Sequence, residues 1–141
     1  MDYLDIDRIT RAGMPQAAAE HARLLGIAAN AVRDGGADGA HVREGVGYRL
    51  RQYDGHLVDV SIAGERRVEL EVATGGRALL YVLSGGGRLE GDDTAIGEDD
   101  VVWFKPADAG DCRVIGIEAD TALRALVFAP RPSPGASAPP L

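Results

Sequence analysis

The pattern of apolar and polar residues changes character about a third of the way along the chain. Within residues 15–32, an apolar or aromatic side chain recurs every three or four positions, which is the spacing of one helical face. The predicted face consists of Ala18, His21, Leu25, Ala28 and Val32. Pro15 suits a first helical turn, and the glycine-rich run at 34–39 ends the pattern. We therefore predict one helix in the first part of the chain.

From residue 46 onward, short runs rich in β-branched and aromatic residues alternate with glycine, aspartate and proline, a pattern typical of strands and turns. The predicted strands are 46–53, 56–62, 66–73, 77–84, 86–90, 101–104, 112–117 and 121–129. This spacing predicts a mostly β sandwich or barrel. We divide the chain into an N-terminal helical segment (1–45) packed on a barrel (46–129), followed by a disordered, proline-rich tail (130–141).

Charge and composition exclude several classes of partner. The formal net charge is -7 and the sequence contains no basic run, so nucleic acid is not an expected partner. No apolar stretch approaches the ~20 residues of a membrane span, and the first ten residues carry acids where a signal peptide needs basic residues. We expect a cytoplasmic protein without membrane contact. Cys112 is the single cysteine, which excludes an internal disulfide and a cysteine-rich zinc site.

Two motifs give the chain a resemblance to a known family. Tyr81-Val82-Leu83-Ser84-Gly85 ends a strand at a glycine turn, and Gly97-Glu98-Asp99-Asp100-Val101 leads to Pro106. Over residues 46–129 the sequence resembles the cupins, and most of all the C-terminal barrel of pirin-like cupins. The resemblance implies a double-stranded β-helix, or jelly-roll barrel, with one N-terminal α-helix.

The predicted strand at 77–84 has two apolar faces. If Leu80 and Val82 point into the barrel, Leu79, Tyr81 and Leu83 point away from it. The helix, the opposite sheet or another subunit must cover that second face. Because cupins commonly pair in this way, the resemblance implies a homodimer.

The chain departs from the family at the metal ligands. Metal-bearing cupins hold an ion with two histidines, a glutamate and a third histidine. Aligning on residues 81–83 places Val72, Thr74 and Ala78 at the first three ligand positions and 109–111 at the last, and none of these is histidine. We expect neither a metal ion nor another cofactor.

The candidate chemistry lies on a predicted hairpin. Asp54-Gly55 is the strongest two-residue turn signal, because both residues tolerate positive φ. The turn predicts three cross-strand pairs: Tyr53 with His56, Arg51 with Val58, and Arg49 with Val60.

Which face of this hairpin lines the barrel is left open by the sequence. If Val58 and Val60 point inward, then Arg49, Arg51, Tyr53 and His56 gather at the barrel mouth. They form a pocket for an anion or a polar oxygen-bearing ligand, with a histidine able to transfer protons. If the other face points inward, Tyr48 and Asp59 supply the polar groups together with Ser61, and an aspartate buried beside a tyrosine suits proton transfer.

Two functions of different classes fit these observations. The first is a metal-independent isomerase or cyclase that positions a small organic molecule in an apolar cavity and moves protons. Its predicted catalytic residues are His56, Tyr53 and Asp59, and its predicted substrate-binding residues are Arg49, Arg51, Tyr48, Thr74 and Trp103. The second is a non-catalytic ligand-binding or regulatory cupin. A barrel filled by its own side chains favours the second function.

Overall fold

The described part of the chain is mostly β with one helix. The computed structural model describes residues 2–11, 13–14, 17–35, 40–53, 57–72, 78–91, 93–105 and 113–128. Within them, the helix α1 spans Ala17–Gly35. The strands are β1 (Asp2–Tyr3), β2 (Ile6–Thr10), β3 (Ala40–Gly45), β4 (Tyr48–Tyr53), β5 (Leu57–Ile62), β6 (Arg67–Val72), β7 (Leu79–Ser84), β8 (Gly86–Leu89), β9 (Thr94–Gly97), β10 (Val101–Phe104), β11 (Arg113–Ala119) and β12 (Leu123–Phe128). The predicted proline-rich tail lies outside the described residues.

The strands form two sheets. One has seven strands in the order β2-β10-β7-β12-β5-β4-β3. In the other, β11 pairs with β6 on one side and with β1 and β8 on the other, and β9 pairs with β8. The β1–β11 pairing is parallel, and the remaining pairings are antiparallel. The predicted helical segment 1–45 therefore also supplies β1, β2 and β3, which the sequence analysis did not predict.

The two sheets face each other around an apolar core. Alternate residues of each strand point into it, as the period of two in a strand requires. From the seven-stranded sheet come Leu50, Val60, Ile62, Leu80, Val82, Val102, Phe104, Leu123, Ala125 and Val127. From the other sheet come Val68, Leu70, Leu89, Ile96, Ile115, Ile117 and Ala119. These side chains fill the middle of the barrel.

Helix α1 covers the outer face of the seven-stranded sheet. Leu24 (1% exposed) and Ala28 (8%) pack in a second apolar cluster. The sheet contributes Tyr53, Leu57, Leu79, Tyr81, Val101, Leu126 and Phe128 to this cluster. The covered face is therefore the second apolar face of β7, and the same chain covers it. Within the described residues, no helix is long and apolar enough to cross a membrane.

The helix is rotated relative to the face predicted from the sequence. Ala18 and Leu25 are exposed, whereas the inward-facing positions are Ala17, His21, Leu24 and Ala28. This set also follows spacings of three and four, so both faces satisfy the helical period. The His21 ring stacks on Tyr81 with the ring centroids 4.9 Å apart, and His21 Nε2 donates a hydrogen bond of 2.7 Å to the backbone oxygen of Asp99.

The second cupin-like motif forms the turn between β9 and β10. Asp99 has a φ of 68°, in the left-handed region, and the Asp100 carboxylate accepts a 2.8 Å bond from the backbone N–H of Gly97. Arg11 donates to the same carboxylate oxygen at 2.6 Å, and Asp100 is buried. A buried carboxylate is costly unless it is paired and hydrogen-bonded, and Asp100 meets both conditions through Arg11 and Gly97. The ion pair also connects the residues before α1 to this turn.

Candidate functional site

At the end of the barrel where a metal-bearing cupin holds its ion, the described residues offer few side chains that could coordinate a metal. In one sheet, Phe128 pairs with both Leu57 and Leu79, so the strand ends that follow 54–56 and 73–77 lie together. In the other sheet, Val72 pairs with Arg113, so the strand ends that flank 73–77 and 106–112 are neighbours. Ala78 is buried in the core. Neither valine nor alanine carries a metal donor atom. Thr74 and residues 109–111 lie outside the described residues.

Ionisable side chains elsewhere do not assemble a metal site in the part of the chain that the structure describes. It contains no group of three or more histidine, cysteine, aspartate and glutamate side chains able to hold a metal ion. Several acidic residues instead pair with arginines, as Glu118 of β11 does with Arg88 at 2.9 Å.

The hairpin of β4 and β5 has a different register from the predicted one. Tyr53 lies opposite Leu57, Arg51 opposite Asp59, and Arg49 opposite Ser61. Three residues, 54–56, therefore connect the strands instead of the two that Asp54-Gly55 predicted, and the three predicted cross-strand pairs are wrong by one position. A shift of one residue between paired strands changes which side chains share a face.

The corrected register places the predicted arginine cluster on the face opposite to Val58 and Val60. Leu50, Val60 and Ile62 point into the core, and Tyr48 and Val58 pack against it. The predicted cluster of Arg49, Arg51 and Tyr53 lies on the opposite, outer face together with Asp59 and Ser61. The structure thus does not place these arginines at the barrel interior, and it splits the alternative set of Tyr48, Asp59 and Ser61 between the two faces. His56 lies outside the described residues.

Tyr53 is buried beneath α1. It is 7% exposed and packs in the cluster that contains Leu24. Its hydroxyl oxygen accepts a hydrogen bond of 3.4 Å from Arg51 Nη1, and this bond is the main cause of the raised pKa of Arg51. Tyr53 therefore packs between the helix and the sheet, and Arg51 is tied to its hydroxyl.

Asp59 forms a bidentate ion pair with Arg124 of β12. Arg124 Nε donates to Oδ1 at 3.3 Å, and Nη2 donates to Oδ2 at 2.9 Å. This hydrogen bonding raises the pKa of Arg124. Arg124 was missed by the sequence analysis. Arg124 lies between the inward-pointing Leu123 and Ala125, and this alternation predicts an outward side chain. The alternation does not predict that its partner, Asp59, lies on β5.

Trp103 lies on the outer face and packs against the cluster under α1. The guanidinium of Arg8 lies 4.5 Å from the centre of its ring, a cation–π arrangement that the β2–β10 register explains by pairing the two residues. Its indole nitrogen is buried and has no hydrogen-bond partner among the described residues. Trp103 therefore does not line the barrel interior, where a substrate was predicted to bind.

An open groove lies at the other end of the barrel, where β4 and β12 begin and β5 and β7 end. Its volume is about 420 Å³. The lining consists of Gly47, Tyr48, Arg49, Ser61, Ile62, Ala63, Ser84, Ala122, Leu123 and Arg124. We call this space the end groove. All of these lining residues belong to the described part of the chain.

Three polar residues of the end groove, Arg49, Ser61 and Arg124, form one row across three strands, and Ser84 lies opposite Arg124 where the register of β7 and β12 is irregular. Arg49 pairs with Ser61, Ser61 with Arg124, and Arg124 with Ser84. Because neighbouring strands lie ~4.8 Å apart, the backbones of the two arginines are about 10 Å from each other. Of the residues in this row, Arg49 was predicted as a binding residue and Ser61 as a polar group of the alternative set. The rest required the register.

Tyr48 forms one wall of the end groove. A Cβ on Gly45 would lie 2.2 Å from the Tyr48 ring, so the ring rests on the glycine, and the guanidinium of Arg43 lies 5.8 Å from the ring centre. The predicted binding residue Tyr48 is thus held in place at the end groove, away from the barrel end where β4 ends and β5 begins.

Comparison with known proteins bears on the fold. No protein-family model matches the chain, and no curated protein sequence matches it significantly. Among solved structures, GK1651 from Geobacillus kaustophilus is similar with a TM-score of 0.63 and 19% identity, over 68% of this chain and 45% of that one. Quercetin 2,3-dioxygenase from Acinetobacter baumannii is similar with a TM-score of 0.56 and 17% identity, over 69% and 38%. An RmlC-like cupin from Shewanella frigidimarina gives a TM-score of 0.47 and 14% identity, over 70% and 90%.

These likenesses concern the fold alone, because the identities are low. The matched region covers less than half of the first two proteins. Together with the two facing sheets and the one helix of the described residues, the first two likenesses confirm the predicted fold class, a mostly β, cupin-type barrel.

Proposed function

We propose that this chain is a cupin that binds a small organic molecule, and that it does so without a metal ion at the family's usual position. The observation that carries the proposal is the end groove. Its volume of about 420 Å³ falls in the ~300–1,000 Å³ range of small-molecule sites, and it combines an apolar wall with a row of polar side chains. The proposed site therefore differs from the apolar barrel cavity that the sequence favoured.

The packing of the barrel favours binding over catalysis. The inward-facing side chains of both sheets are buried in one continuous cluster. Near the N-terminal strand, a cavity lined by Leu4, Ile6, Phe104 and Ile115 measures about 10 Å³, which is room for roughly one water molecule. A barrel filled in this way supports the non-catalytic alternative.

The contacts of two predicted catalytic residues also favour the non-catalytic alternative. Tyr53 packs under α1 and Asp59 is occupied by Arg124, so neither faces the barrel core. The isomerase or cyclase activity, with His56 as its proton-transfer residue, stays a prediction.

Other expectations also stay predictions. The apolar face of β7 suggested a homodimer, but helix α1 covers this face, so it no longer supports that prediction. Light scattering measures the oligomeric state. Elemental analysis of the purified protein tests metal independence. The closer relation to pirin-like cupins and the cytoplasmic location likewise await their own tests.

Binding at the end groove is tested with three probes that share one skeleton: cinnamate, cinnamamide and cinnamyl alcohol. We expect ligand-observed NMR to detect saturable binding of at least one probe to the full chain. Replacing the exposed Ser84 by tryptophan fills the end groove and should abolish binding. The matched control is Ala22→Trp on the exposed side of α1, which should keep it. Binding of no probe, or equal binding by Ser84→Trp, would refute the end groove as the site.

A further inference from the structure

We infer that the end groove selects an organic carboxylate, with the acid group held between Arg49 and Arg124. This inference rests on the proposed function and names its ligand class. The lining contains two guanidiniums and no carboxylate. The whole chain, by contrast, carries a formal net charge of -7. A positive site on a negative protein is a local feature that attracts an anion.

Each of the two lining arginines of the end groove contacts one carboxylate, and two further arginines lie beside its wall. Arg49 Nε lies 3.5 Å from the Glu44 carboxylate, with both side chains mostly exposed, so this contact is weak. The side chain of Arg66 lies against Gly47, where a Cβ would come within 2.5 Å of its Cγ, and Arg43 lies over Tyr48. Four guanidiniums thus surround the groove, and Glu44 and Asp59 are the carboxylates that contact its two lining arginines.

The ion pair with Asp59 fixes Arg124 without using all of its donors. A guanidinium has five N–H groups, and Asp59 accepts from Nε and Nη2. The Nη1 group makes no hydrogen bond to the described residues and is left for a ligand. Asp59 is therefore a positioning residue, because it holds the guanidinium in one orientation before a ligand arrives.

The remaining lining accounts for the organic part of the ligand. Ile62 and Leu123 point into the core and expose 3% and 2% of their surface, so the partly exposed Tyr48 ring is the main apolar surface of the groove that a ligand can contact. A flat aromatic or a short aliphatic group fits such a surface by offset stacking and apolar contact. The planar fork of a guanidinium matches a carboxylate through two parallel hydrogen bonds. Together the two parts select a small amphipathic acid.

The test compares cinnamate with cinnamamide, which differ in charge but hardly in shape. We expect cinnamate to bind the full chain about tenfold more tightly, as two charge-assisted hydrogen bonds at a half-exposed site imply. In Arg49→Gln and Arg124→Gln the preference should fall toward equality while cinnamamide binding is retained. The matched control Arg88→Gln, which removes the same charge from the other sheet, should keep the preference.

Outcomes separate this inference from the proposed function. If both probes bind equally and Ser84→Trp abolishes both, the site exists and the carboxylate inference is wrong. If neither probe binds, the proposed function itself fails. Because Arg124→Gln leaves Asp59 without its partner and lowers stability, Arg49→Gln is the decisive variant if the other proves poorly folded. An unchanged preference in Arg49→Gln with correct folding would overturn the role assigned to this arginine.

Discussion

Replacing Leu24 by alanine tests which side of α1 the sheet covers. Leu24 is 1% exposed and packs on the sheet, whereas its neighbour Leu25 is 46% exposed. The two residues are chemically identical and adjacent in sequence. The pair Leu24→Ala and Leu25→Ala therefore isolates burial as the variable, and each variant is the control for the other.

The expected cost follows from the carbon atoms removed. A Leu→Ala change deletes the equivalent of three methylenes, each worth about 0.8 kcal/mol when fully buried, or about 2.4 kcal/mol in total. The cavity left between helix and sheet adds to this, which places Leu24→Ala near 3 kcal/mol. For Leu25 about half of the side chain already contacts water. Its removal costs about 1 kcal/mol or less, and alanine's helix preference offsets a little of that.

Urea unfolding measures both free energies. Trp103 is the single tryptophan and packs against the layer beneath α1, so its fluorescence reports on this region, while circular dichroism follows the sheets. We expect a lower unfolding midpoint for Leu24→Ala with an unchanged slope. Equal costs for the two variants, or a larger cost for Leu25→Ala, would refute the orientation of the helix.

Two further predictions concern a turn and a buried phenol. Gly85 has a φ of 80°, and a Cβ there would lie 1.9 Å from the backbone oxygen of Ala122, so Gly85→Ala should cost about 3 kcal/mol or more in urea unfolding. Gly64→Ala, where the nearest atom is 3.5 Å away, should cost less than about 0.5 kcal/mol, and similar losses would contradict this. Burial, and to a smaller extent the charge of Asp99, raises the pKa of Tyr81 in the folded protein. The phenol of the unfolded chain therefore ionises at a lower pH than that of the folded protein. The contribution of neutral Tyr81 to stability is complete below pH ~10 and is lost as the pH rises through the folded-state pKa. Stability measured at about pH 9 and 11 should fall less in Tyr81→Phe than in the wild type; parallel losses would argue against a raised pKa.

Much of the fold could be predicted from the pattern of residues. Every strand predicted after residue 46 overlaps an observed one, because alternation and glycine turns are local properties of the chain. The strands that were missed are short or lie at a sheet edge. β9 has four residues, and β2 and β3 each pair along one side, so their sequences carry little apolar signal.

The candidate site was predictable only residue by residue. Arg49 and Tyr48 were chosen as binding residues, and both line the end groove. Ser61 was named only together with Tyr48 and Asp59, and Ser84 and Arg124 were not found, because these residues come together through pairing between strands distant in the sequence. The inward face of the hairpin stayed open, and its cross-strand pairs were predicted one position off, for the same reason. The cross-strand pairs were predicted from the local turn signal at Asp54-Gly55, whereas the pairing of β4 with β5 depends on the register of the whole sheet.

The sequence by itself determined the elements: one helix, a series of short strands and the absence of histidines at the cupin ligand positions. The tertiary structure decided which face of each element is buried. Leu24 and Leu25 fit a helical period equally well. A shift of one residue in the pairing of β4 with β5 changes which side chains of the two strands share a face. In both cases local preferences are nearly balanced. The free energy gained by burying Leu24 under the sheet, and Leu50 with Val60 in the core, exists only once the sheets have assembled.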